Sequence, residues 1–134
     1  MQPALKDGRY SKRQLDRDEA EFRKSMRPKT RRALDRFEDS GGQDASELLT
    51  FNTWPNHTTD RTRPRTVAAG YDSKSNTLFV EFRNGENGRG SHGGALYAYY
   101  RVHPNTWKNV RRTGSEGRNI VNKALEGHPF KRIR

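Results

Sequence analysis

The chain of 134 residues contains no cysteine. That excludes disulfides, thiolate catalysis and cysteine-ligated zinc or iron–sulfur centres. Apolar residues are also scarce: 29% of the chain is hydrophobic against 32% charged, and the mean hydropathy is −1.24. Such a chain can bury one small core, but not along its whole length. No apolar run approaches the roughly 18 residues that a membrane helix requires. The opening Met1-Gln-Pro-Ala-Leu-Lys-Asp-Gly has no apolar stretch of the kind a secretory leader carries. The expectation is a soluble protein of the cytoplasm, or of a virion if a phage encodes it.

Histidines number only four, His57, His92, His103 and His128, and no two have the spacing of a ligand pair. No metal and no cofactor is expected. No nucleophile signature surrounds any serine, and no spacing pairs the carboxylates Asp72, Glu81 and Glu116. A non-catalytic protein is therefore expected. Gly88-Arg-Gly-Ser-His-Gly93 satisfies G-x-G-x-x-G, but it lies between two expected strands rather than between a strand and a helix. It reads as a hairpin loop and not as a nucleotide cradle.

What the sequence does have is positive charge, and the charge is uneven. There are 27 Lys/Arg against 16 Asp/Glu, a net +11. Residues 1–50 carry 12 cations against 10 acids, and residues 51–93 carry 6 against 4. Residues 94–134 carry 9 against 2, a balance of +7. A single-sign excess of this kind attracts polyanions.

Residues 1–50 read as a helical arm. Ser11 is placed to cap it, and Leu15, Phe22, Met26, Ala33 and Phe37 form one apolar stripe, widened by Leu34. Pro28 predicts a kink, or two helices meeting near Met26–Pro28. Asp39-Ser-Gly-Gly-Gln is a stop, and Asp44-Ala-Ser-Glu-Leu-Leu a further helical turn. The stripe needs a partner surface, either the rest of the chain or another molecule. Residues 51–65 read as a linker in which Trp54 anchors the crossing.

Residues 66–134 read as an α+β domain, a small antiparallel β-meander packed with two C-terminal helices. Strands are expected at Thr66–Asp72, Thr77–Arg83 and Ala95–Val102, with a turn at Asp72-Ser-Lys-Ser-Asn. Pro104 suits a first helical position, with Trp107 and Val110 giving a buried edge. Ser115 suits the cap of a second helix whose apolar face is Ile120, Val121, Ala124 and Leu125. Phe130 and Ile133 return the tail as a short strand.

Strand alternation groups Phe79 and Glu81 on one face, and Tyr97, Tyr99 and Arg101 on one face. A sheet face bearing Phe79, Tyr97, Tyr99 and Arg101 would stack nucleobases, and the same rings could equally pack beneath the C-terminal helices. Lys108, Arg111 and Arg112 line one helical face. Arg118 and Lys123 follow on the next helix, with Lys131, Arg132 and Arg134 on the tail, all able to meet phosphates. Ser115 and Gly117 add backbone N–H groups at a helix start.

The stretch from about Thr66 to Arg132 resembles the KTSC domain, a small family named for a C-terminal extension of some lysyl-tRNA synthetases. The resemblance rests on Gly70-Tyr71-Asp72 before Leu78-Phe-Val-Glu-Phe82, on Tyr97-Ala-Tyr99, and on Val102 followed by Pro104. It continues through Ser115-Glu-Gly117, Asn122 and Gly127-His-Pro-Phe-Lys-Arg-Ile133. A Gly-rich insertion precedes Tyr97, and His103 separates Val102 from the proline. The resemblance implies a small α+β domain with an RNA-binding role and no catalytic residues.

Two functions follow as expectations. The first is a non-catalytic nucleic-acid-binding module, for RNA or single strands, in which Tyr97 and Tyr99 stack bases and the cations named above meet phosphates. The second is a protein–protein interaction or assembly module, a phage structural or accessory protein being one such case, docking through Phe22, Met26, Leu34 and Phe37 on the amphipathic arm.

Overall fold

The computed structural model describes residues 12–52, 66–82, 93–111 and 128–134. Pro28 has the effect its chemistry dictates. Helix α1 runs Lys12–Ser25, and a separate helix α2 runs Pro28–Asp39, with proline in its first turn. Gly41 and Gly42, with φ of +69° and +83°, stop α2. Their N–H groups bond Glu38 O and Phe37 O, satisfying carbonyls that the helix end leaves open. One further turn follows, closed by the N–H groups of Leu48 and Leu49 on Ala45 O. The expected cap Ser11 lies outside the described residues.

Five strands follow in sheet order β1-β2-β3-β4-β5, every neighbouring pair antiparallel. They are β1 (Phe51–Asn52), β2 (Thr66–Asp72), β3 (Thr77–Phe82), β4 (Leu96–Tyr99) and β5 (Phe130–Arg132). Helix α3 (Pro104–Arg111) lies between β4 and β5 in the chain. The fold is α+β. The region expected to begin a linker instead begins with β1, because Phe51 pairs with Ala69 and sets its ring against Trp107. Trp54, the Gly88–His92 loop and the expected second C-terminal helix lie outside the described residues. No helix among the described residues is long and apolar enough to cross a membrane.

The sheet has a core on each face. On one face Phe79, Leu96, Ala98 and Tyr100 pack with Met26, Ala33, Leu34, Phe37, Ala45 and Leu48 of the helical layer. Phe22 stacks on Tyr100 with ring centroids 4.6 Å apart and planes 5° from parallel. The residues expected to dock a second protein, Phe22, Met26, Leu34 and Phe37, are therefore placed on the chain's own sheet. Re-exposing Met26, Leu34 and Phe37 would forfeit about 1.5–3 kcal/mol for each. On the other face Ala69, Leu78, Val80, Tyr99 and Val102 are buried among Tyr71, Phe82, Tyr97, Trp107 and Phe130.

Candidate nucleic-acid interface

The register decides which aromatic rings share a face. Phe79 lies opposite Ala98, whereas Leu78 and Val80 lie opposite Tyr99 and Tyr97. The grouping of Phe79 with Tyr97 and Tyr99 is thus corrected: Phe79 is on the helical side. Side-chain direction alternates with period two, so a register one residue away would have grouped them as expected. Arg101 also leaves that group. Strand β4 ends at Tyr99, and Arg101 has a left-handed φ of +60°. Its guanidinium accordingly lies 5.6 Å over the Phe22 ring and 3.5 Å from Asp18, on the helical side.

Tyr97 and Tyr99 do share a face, within a continuous aromatic cluster. Tyr97 meets Phe82 and Phe130 edge-on at 5.7 and 5.9 Å, and Tyr99 meets Phe130 at 5.7 Å. Their exposure differs. Tyr99 is only 7% exposed, and burial, with a smaller contribution from the neighbouring Tyr97, pushes its phenol well above its ordinary pKa. Tyr97, Phe82 and Phe130 are half-buried. Tyr97 is thus the more accessible of the two residues, and the Tyr99 ring lies 6.1 Å from its ring, tilted by 41°. Arg132 is the β5 residue opposite Tyr97 and is exposed.

The Gly70-Tyr71-Asp72 segment carries three structural functions in a row. A Cβ on Gly70 would lie 1.7 Å from Leu48 O, so only glycine lets the 45–49 turn lie against β2. The Tyr71 hydroxyl donates to the Val102 carbonyl and lies 3.1 Å from Asn76 Oδ1, and its ring stacks on Trp107 at 5.8 Å. Asp72 is fully buried and ties the α1–α2 junction to the sheet. Its Oδ1 accepts from Arg27 N (3.1 Å), Arg27 Nε (3.2 Å) and Thr30 Oγ1 (2.7 Å). Its Oδ2 accepts from Ser75 N (2.8 Å) and Ser75 Oγ (2.7 Å). Burial pushes this carboxyl up, but the Ser75, Thr30 and Arg27 donors outweigh it and hold the pKa below its ordinary value.

The expected phosphate-binding cations divide into three sets. Lys108 and Arg132 are exposed and have no acidic partner among the described residues. Arg101 and Lys131 instead reach α1, pairing with Asp18 and Glu19. The Arg111 side chain, Arg112, Ser115, Gly117, Arg118 and Lys123 lie outside the described residues. A run that segment totals concealed is Arg23, Lys24, Arg27, Lys29, Arg31 and Arg32, six cations over residues 23–32 with no acid among them. A ten-residue charge window would have found it.

Asp72 and Glu81, considered as catalytic carboxylates, are both buried and bonded. Glu81 pairs with Arg134 and accepts the Gly93 N–H at 3.0 Å. That pair borders a cavity of about 440 Å³ lined by Gln43, Asp44, Ser46 and Leu49. Arg134 also donates to Gly94 O (3.0 Å) and Gly42 O (3.1 Å), so the arrangement joins the tail to the α2 stop. Among the described residues no three His, Asp or Glu side chains cluster as metal ligands.

Residues 65–120 match the family model of the KTSC domain. The match takes in β2, β3, β4 and α3 and leaves α1, α2, β1 and β5 outside it. A search of curated proteins finds no match to the chain.

Proposed function

With residues 65–120 matching the KTSC domain model, we propose that this chain is a non-catalytic nucleic-acid-binding module for RNA or single strands. The supporting observation is the half-buried Tyr97 ring between Phe82 and Phe130, with the exposed Arg132 opposite it on the edge strand. Base stacking on a protein ring is worth about 1–3 kcal/mol per base and tolerates any sequence. Arg132 and Lys108 supply cations for the backbone on the same side of the sheet, where α3 packs through Trp107. In this reading Tyr99 does not stack a base; it holds the floor on which Tyr97 rests.

The test is fluorescence anisotropy with labelled single-stranded RNA, single-stranded DNA and duplex DNA across a salt series. Binding to single strands should weaken with a log–log slope of roughly −0.7 per neutralised phosphate. Tyr97→Leu keeps apolar volume in the seat and removes the π face, and should weaken single-strand binding roughly tenfold. Arg132→Gln should make the salt slope shallower, while Tyr99→Phe should bind as the parent does. An absence of single-strand binding at low salt sinks the reading. Binding indifferent to Tyr97→Leu removes the stacking ring from it.

A further inference from the structure

We propose that the α1–α2 junction is a second, independent phosphate-binding surface that takes duplex nucleic acid through its backbone. The junction carries Lys24, Arg27, Lys29, Arg31 and Arg32, all exposed. Arg27 pairs with the buried Asp72, and the pairing of the other acids leaves the remaining four cations uncompensated. Asp18 and Glu19 face Arg101 and Lys131, Asp35 and Glu38 face Arg23, and Glu47 faces Arg36. Lys24, Lys29, Arg31 and Arg32 have no acidic partner among the described residues. Arg31 Nη1 donates to Lys24 O at 3.4 Å, which brings the cations of the two helices side by side across the bend.

The surface is also held in shape. Asp72, reaching from β2, fixes Arg27 and Thr30 on the first turn of α2. The junction therefore need not be ordered when a ligand arrives, which removes part of the cost of binding. Its chemistry selects the partner. Phe22 is stacked on Tyr100 and Met26 is buried, so neither is offered for insertion into lipid, which membrane-surface helices require. Phe22, the ring that α1 carries at the junction, is engaged with Tyr100, so the contact that the two helices offer is with phosphate. Duplex DNA presents the densest phosphate array, one charge per ~1.7 Å of axis.

This surface lies on the helical side of the sheet and Tyr97 on the other, so it goes beyond the stacking reading and stands without it. The experiment uses the full chain with Lys24, Lys29, Arg31 and Arg32 all changed to Gln, binding a labelled DNA duplex across a salt series. Each lost phosphate contact should make the log–log slope shallower by about 0.9, and four by about 3.6. Tyr97→Leu should leave the duplex slope unchanged. Because all four side chains are exposed, the variant should melt as the parent does; if it does not, Lys29→Gln/Arg32→Gln replaces it, with about half the change in slope. An unchanged slope overturns the proposal. So does binding to phosphatidylserine vesicles that matches duplex binding and is lost in the same variant. Single-strand binding unmoved by Tyr97→Leu sinks the stacking reading alone, and a duplex slope unmoved in the junction variant sinks the junction proposal alone, so the two failures are distinguishable.

Discussion

Asp72 concentrates more consequence than any other side chain described, because five donors converge on one fully buried carboxylate. Asp72→Asn halves its capacity to accept and should cost about 2–3 kcal/mol, the scale of a hydrogen bond to a charged group. Urea denaturation at neutral pH measures it. The pH dependence follows from the depressed pKa. The unfolded carboxyl titrates near 3.9, so the stabilisation is complete above that value and is lost as pH falls through the lower folded pKa. Acid unfolding should therefore begin at higher pH, and be less steep, in Asp72→Asn. Two glycines give a second test at this scale. Gly70→Ala drives a methyl into the Leu48 carbonyl and should cost about 3 kcal/mol or more. Gly41→Ala meets nothing within 4 Å and carries only the left-handed φ penalty of about 1–2 kcal/mol. Equal melting temperatures for the two would refute the close approach at Gly70. Sequence alone shows Gly70-Tyr71-Asp72 as a motif but not its roles, because each partner, Leu48, Val102 and Thr30, is more than twenty residues away.

Strand β4 divides its side chains between two cores, Tyr99 with one and Ala98 with the other, and Tyr100 continues on the helical side. Its existence is legible from the aromatic alternation. Its facing is not, since that depends on which β3 residue stands opposite, and a shift of one exchanges the two cores. The division Lys12–Ser25 and Pro28–Asp39 was legible because proline acts locally; the C-terminal end of β2 was legible for the same kind of reason, through the Asp72–Asn76 turn. The burial of the tyrosines yields an alkaline prediction. Tyr71 is pushed up to about 12 by burial and then by the Asp72 charge. Tyr100 is raised also, by burial first and the Glu19 charge second. Their unfolded phenols titrate near 10. Stability is thus unaffected below that pH and falls as pH rises beyond it, because the unfolded chain releases protons that the folded one retains. Tyrosinate absorbance followed with circular dichroism should show Tyr71, Tyr99 and Tyr100 ionising together with loss of structure. Ionisation of all five tyrosines of the chain near pH 10 with the fold intact would contradict the packing.

Across the whole molecule, ion pairs do more to sort charge than to add stability. The pairs on exposed helical surfaces contribute about 0–1 kcal/mol each; by occupying Asp18, Glu19, Asp35, Glu38 and Glu47 they leave Lys24, Lys29, Arg31 and Arg32 without an acidic partner among the described residues. The pair between Glu81 and Arg134 is different, with side chains 3% and 18% exposed. Arg134→Ala strands a buried carboxylate and should cost about 3–5 kcal/mol. Adding Glu81→Gln should recover part of that loss, and a double-mutant cycle by thermal melting reads the coupling. The attachment of α1 has a further consequence. Its contacts to Arg101 and Lys131 span 83 and 112 residues of chain. During synthesis α1 therefore leaves the ribosome long before Arg101 and Lys131, which receive it, have been made. Such distant pairings slow folding, because a large loop must close before any contact compensates it. A nascent chain halted after α3 would carry its helical layer with that layer's last attachment still unmade, and protease sensitivity of α1 would report the moment when Lys131 arrives.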